Sequence, residues 1–133
     1  LNSHYSIGVA SVEEILNLNI LQAALLSMKR AIDKLSIKPK LVLIDGNFAP
    51  KGVKNVKTII NGDEKIKCIS AASIIAKTYR DLLMMKLSEK YKNYAWERNF
   101  GYGTKAHMDG LKKFGITSHH RKAFKPIHKI LSK

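Results

Sequence analysis

Acidic residues are scarce in this chain. Ten Asp and Glu stand against 24 Lys and Arg in 133 residues, a formal net charge of +14. That imbalance argues for a polyanionic partner, either nucleic acid or an anionic membrane surface. Cysteine is nearly missing: the single Cys68 rules out an internal disulfide framework and suits a reducing, cytoplasmic setting. It reads as a small buried hydrophobe. The five histidines lack cysteine partners at ligand spacing, which argues against a zinc site of that type. No run of about 18 apolar residues is present, so no transmembrane helix or membrane partner is expected. No charged-then-apolar leader opens the chain, and its first residue, Leu1, suggests a fragment or a processed product. Repeats, low-complexity segments and composition shifts are also missing, so nothing marks a domain boundary.

What the chain does contain is enough apolar content, 45%, for a core in a single domain over residues 1–133. Tyr5–Ala10 reads as a strand leading into a helix. Ser11 is a suitable N-cap there, and Glu14 completes a capping box. Apolar residues from Ile15 to Leu35 then recur at helical spacing and predict one long amphipathic helix, ended by Pro39. Residues 41–45 predict a short apolar strand, and 56–60 a second one after a ten-residue connection. Ser70 begins a second long helix whose opening is rich in small residues. A tight loop at Gly101 and Gly103 precedes a short helix over 105–114, capped by Thr104 and stopped by Gly115. The segment from about 90 to 133 is helical and basic.

Three constellations carry chemistry. Asp45 ends an apolar strand and meets Gly46-Asn47, and Asp63 follows the next strand. If those strands are parallel neighbours, the two carboxylates converge and suit Mg²⁺ or Mn²⁺. Read as turns, they are simply capping residues. The second constellation is Ser70, Ser73 and Lys77 on the first turns of a helix. It forms a phosphate seat on one reading and an N-cap with small packing residues on the other. Asp81, four residues after Lys77, fits a solvated ion-pair partner. The third is Asn99-Phe-Gly-Tyr-Gly-Thr-Lys-Ala-His107. Its glycines can present Tyr102 for stacking on a sugar or base while Lys105 and His107 reach phosphates; the alternative is a glycine turn with a packed tyrosine. The tail around His119, His120 and Arg121 adds contacts to a nucleic-acid backbone on one reading and is simply a solvated basic tail on the other.

In order and spacing, these segments resemble the C-terminal two-thirds of type 2 ribonuclease H, the bacterial ribonuclease HII family. The resemblance rests on Ser11-Val-Glu-Glu-Ile15, Leu18-Asn-Ile-Leu-Gln-Ala23, Val42-Leu-Ile-Asp-Gly-Asn47 and Gly62-Asp63. It continues through Ser70-Ala-Ala-Ser-Ile-Ile-Ala-Lys77 with Arg80-Asp81, Gly101-Tyr-Gly-Thr-Lys-Ala-His107 and His120-Arg-Lys-Ala-Phe-Lys-Pro126. It implies an α/β fold, a ribonuclease H-like mixed sheet flanked by helices. It also implies a metal-dependent endonuclease acting on the RNA strand of RNA–DNA hybrids and on ribonucleotides embedded in duplex DNA, leaving 5′-phosphate and 3′-hydroxyl ends. By the same resemblance Asp45 and Asp63 are catalytic metal ligands for two Mn²⁺ or Mg²⁺ ions. Ser73 and Lys77 then hold substrate phosphate, and Tyr102 packs at the ribose–deoxyribose junction. Lys105, His107 and Arg121 complete the substrate contacts.

The family's opening Asp-Glu-x-Gly-Arg-Gly strand and its downstream Asn-Asp-Ser-Lys-Lys stretch have no counterpart in this sequence. The sheet is therefore expected to lack its central first strand and the metal site half of its acids. Asn99-Phe100 replaces the family's usual His-Lys. The chain alone is expected to be a monomer of little or no activity, with the missing strands possible on a separate N-terminal fragment. Two other readings stand beside this one: a non-catalytic basic nucleic-acid-binding module and a gene remnant.

Overall fold

The computed structural model describes residues 3–132. Two compact units make up the chain, Leu1–Ile75 and Ala76–Lys133. The divide falls inside a helix, where composition gives no signal.

The first unit holds α1 (Val12–Leu18), α2 (Ile20–Lys34), β1 (Val42–Asp45), β2 (Val56–Ile59), α3 (Gly62–Lys65) and the start of α4 (Lys67–Lys90). Ser11 caps α1 through the Glu14 amide, and the Glu14 carboxylate returns a bond to the Ser11 amide. The single long helix expected from Ile15 to Leu35 is in fact two. Asn19 breaks it at φ 73°, and its side-chain oxygen accepts from the Gln22 amide to start α2. Asn19 is held at this strained φ 73°, ψ 166° conformation as the cap between the two helices, so apolar spacing alone hid the break.

Residues 5–10 do not form the expected strand. Their polar bonds go to α2 instead: Ser6 donates to the Ala31 carbonyl, and Arg30 and Lys34 donate to the carbonyls of Val9 and Ile7. A Cβ on Gly8 would lie 1.8 Å from the Ser27 carbonyl oxygen, so only glycine permits this approach. Arg30 also reaches Glu14 at 2.8 Å, and its guanidinium holds that carboxyl down at about 2.

β1 and β2 run parallel with Val42 opposite Val56 and Asp45 opposite Ile59. Among the described residues they form a sheet of two strands, consistent with the expected incomplete sheet. Ala23, Leu25, Val42, Ile44 and Ile69 are buried.

The second unit contains the rest of α4, a 3-10 turn (Lys92–Tyr94), α5 (Trp96–Asn99), α6 (Lys105–Phe114) and α7 (Lys125–Leu131). Its core is Tyr94, Trp96, Leu111 and Ile127, with Met84, Leu87, Tyr91, Met108, Ile116 and Ile130 around them. Thr104 and Gly115 bound α6 as the sequence indicates. α6 packs on the 3-10 turn so closely that a Cβ on Gly110 would lie 2.2 Å from the Asn93 carbonyl oxygen.

Candidate active site

In the first unit the parallel register decides the geometry of the two acids. β1 ends at Asp45, and the next ladder bond runs from the Gly46 amide to the Ile59 carbonyl at 2.9 Å. The Asp45 Oδ1 atom then accepts the Gly62 amide at 2.7 Å, so this carboxylate is fastened to the turn that carries Asp63. That turn is possible because Asn61 adopts a left-handed conformation at φ 53°. Asp63 lies in the first turn of α3, not at a strand end as the sequence suggested, and both acids are exposed. Among the described residues no cluster of three or more His, Cys, Asp or Glu side chains is assembled.

α4 starts at Lys67, three residues before the expected Ser70. The Ser70 amide consequently donates to the Ile66 carbonyl at 3.0 Å and is not a free anion donor. Ser73 is exposed and offers a hydroxyl. Cys68 is exposed rather than buried, since the helix's first turn faces outward there.

In the second unit Lys77 pairs with Asp81 at 2.6 Å, and that carboxylate raises the lysine's affinity for its proton. Tyr102 is 62% exposed, on the loop between α5 and α6. Arg80 donates to the Phe100 carbonyl at 2.8 Å and places its guanidinium 5.6 Å from the Tyr102 ring centre. The Asn99 side chain is buried and spans the same loop, donating to the Tyr94 carbonyl at 2.8 Å and accepting the Gly101 amide at 2.9 Å. Lys105 is exposed beside Asp109 at 2.9 Å, and Arg121 lies over the Phe124 ring at 4.9 Å.

His107 is not placed to meet a phosphate. It is only 5% exposed, and both ring nitrogens are engaged. Nδ1 lies 2.9 Å from the Tyr102 carbonyl oxygen, while Nε2 lies 3.1 Å from both Trp96 Nε1 and His120 Nε2. His120, expected in a basic tail, is likewise buried at 6% exposure. Burial, followed by the proximity of His107, lowers its pKa to about 4. The ring pair belongs to the core, next to Tyr94 and Trp96. One signal for this was present in the sequence: His107 falls four residues before Leu111, on the inward face of α6.

Comparison with known proteins places the chain in context. The family profile described as Ribonuclease HII matches residues 2–129. A Ribonuclease HII of Pelagibacter ubique is 58% identical over 132 residues, covering 98% of this chain and 70% of that protein. One of Ruegeria pomeroyi is 50% identical over 131 residues, covering 98% of this chain and 56% of that protein. Among solved structures, the ribonuclease H2 from Pyrococcus horikoshii OT3 superposes with a TM-score of 0.68 at 27% identity. That match covers 92% of this chain and 65% of the archaeal one.

Proposed function

The chain belongs to the ribonuclease HII family, and from that premise we propose that it carries acids and substrate contacts of a metal-dependent endoribonuclease. The substrates are RNA–DNA hybrids and ribonucleotides embedded in duplex DNA, cut to leave 5′-phosphate and 3′-hydroxyl ends. One observation carries the reading: the Asp45 carboxylate is tied to the turn bearing Asp63 through the Gly62 amide. The parallel register supports it, setting Asp45 opposite Ile59, just before the turn that leads to Asp63.

The donor set fits a hard divalent cation. Asp45 commits one oxygen to the Gly62 amide and keeps the other, and Asp63 has no ion pair among the described residues. Anionic oxygens of this kind suit Mn²⁺ or Mg²⁺. When bound, such ions supply Lewis-acid stabilisation for displacement at phosphorus. Ser73 and Lys77 steady the substrate phosphate through their side chains, and Tyr102 packs on the sugar at the ribose–deoxyribose junction. Lys105 and Arg121 hold the nucleic-acid backbone, with the +14 charge supplying general attraction. His107 leaves the substrate-contact set. Two carboxylates fall short of the family's acidic set, so residues 1–133 alone cleave poorly or not at all. A separate polypeptide bearing the Asp-Glu-x-Gly-Arg-Gly strand restores cleavage.

A Mn²⁺ titration of the chain tests the cation role directly. Asp45→Asn and Asp63→Asn should each weaken binding roughly tenfold or more, the loss of one charged ligand. Equal affinity in all three proteins would reject it and favour a metal-indifferent nucleic-acid binder.

A further inference from the structure

We infer that the buried His107–His120 pair is a positioning device for Tyr102, acting through that residue's backbone carbonyl. The inference deepens the reading of Tyr102 as the ribose-facing residue and rests on it for its functional meaning. Its geometric content stands on the structure of the second unit alone.

The hydrogen-bond pattern assigns the tautomers. The Thr117 amide donates to His120 Nδ1 at 2.9 Å, so that nitrogen is an acceptor and His120 carries its proton on Nε2. His120 Nε2 therefore donates to His107 Nε2 at 3.1 Å, and the Trp96 indole N–H donates to the same atom at 3.1 Å. His107 Nε2 is thus an acceptor, and its proton lies on Nδ1. Nδ1 faces the Tyr102 carbonyl oxygen at 2.9 Å and donates to it. The chain of donors runs from His120 through His107 to the backbone of Tyr102. The opposite tautomer of His107 would set its own Nε2–H against the N–H groups of both Trp96 and His120 and leave the Tyr102 carbonyl facing a lone pair.

That carbonyl also accepts the Thr104 amide at 2.9 Å, so the His107 bond fixes the loop where α6 begins. The loop's other fastenings lie before Tyr102 or at its amide: Arg80 donates to the Phe100 carbonyl, Asn99 holds the Gly101 amide and the Tyr102 amide donates to the Asn99 carbonyl. Phe100 at φ 48° and Gly101 at φ 84° add a sharp bend that needs such fastening. An exposed ring on a bent loop is useful for recognition only when its backbone is fixed, and the buried pair fixes it from the core side.

Two substitutions separate positioning from plain packing. In His107→Asn the side-chain amide can replace Nδ1–H and keep the bond to Tyr102, while losing the Nε2 acceptor. In His107→Gln the amide can replace the Nε2 acceptor, keeping Trp96 and His120 satisfied, and loses the donor to Tyr102. Amide hydrogen exchange of residues 101–104 in the whole chain should quicken roughly tenfold in His107→Gln and change little in His107→Asn, the effect of one lost hydrogen bond. Thermal unfolding should show the reverse order, with His107→Asn the less stable. Exchange at 101–104 that simply follows global stability in both variants would overturn the positioning role. The binding preference for duplex DNA with one ribonucleotide over all-DNA duplex should fall in His107→Gln and in a Tyr102→Ala control. If Tyr102→Ala leaves that preference unchanged, the reading of Tyr102 fails, while the exchange data still decide the positioning.

Discussion

Lowering the pH from about 8 to about 5 should cost this chain about 2 kcal/mol of stability, and the loss traces to His120. The ring is 6% exposed. Its Nδ1 accepts the Thr117 amide and its Nε2 faces His107, so an added proton at Nδ1 would point at another N–H. His119 adds further repulsion, while Tyr94 and Trp96 supply aromatic surface. Burial accordingly holds the folded-state pKa at about 4, against 6.5 for the free side chain. The unfolded chain therefore binds a proton that the folded chain refuses between those values. The stabilising contribution is whole above pH 6.5 and declines as pH falls towards about 4. The full span is worth on the order of 3 kcal/mol. Trp96 is the sole tryptophan, buried beside His120, so its fluorescence reports unfolding of the second unit. Urea denaturation at a series of pH values should show this decline, and His120→Gln, which keeps a donor near Nε2 but cannot be protonated, should flatten it. Glu14, held at about 2 by Arg30 against 4.5 for the free side chain, loses its own contribution between those values, so the comparison is made above about pH 5. A stability profile equally steep in His120→Gln would refute the reasoning.

Two glycines near this core should fail for different reasons. Gly110→Ala forces a Cβ to within 2.2 Å of the Asn93 carbonyl oxygen, and denaturation should show a loss of about 3 kcal/mol or more despite alanine's better helix propensity. Gly115→Ala meets nothing within 4 Å but must adopt φ 75° and ψ −161°, a conformation essentially confined to glycine; its cost should be roughly 1–3 kcal/mol, read in the same way.

Much of the local structure was legible because its signals are short-range. The Ser11–Glu14 capping box, the Thr104 cap and the Gly115 stop are set by residues three or four apart, and each is present. What escaped depended on partners distant in sequence. Tyr5–Ala10 has strand-like residues, but its polar bonds are taken by α2, twenty or more residues away. The break at Asn19 lies within an unbroken apolar period, so periodicity joined what a positive φ separates. Asp45 and Asp63 stand out in the sequence as candidate acids, but the bond from the Gly62 amide to Asp45 depends on the parallel register. His107 and His120 looked like basic surface groups; only the packing of α6 against Trp96 shows them to be interior.

The central claim is that Asp45 and Asp63 belong to a nuclease site that needs further acids to work. The most direct measurement is Mn²⁺-dependent nicking of duplex DNA containing one ribonucleotide. It compares the 133-residue chain alone, the chain mixed with a polypeptide bearing the Asp-Glu-x-Gly-Arg-Gly strand, and the same mixture with Asp45→Ala. The account predicts little or no nicking by the chain alone, nicking by the mixture, and its loss with Asp45→Ala. Robust nicking by the chain alone, or nicking by the mixture that survives Asp45→Ala, would contradict it.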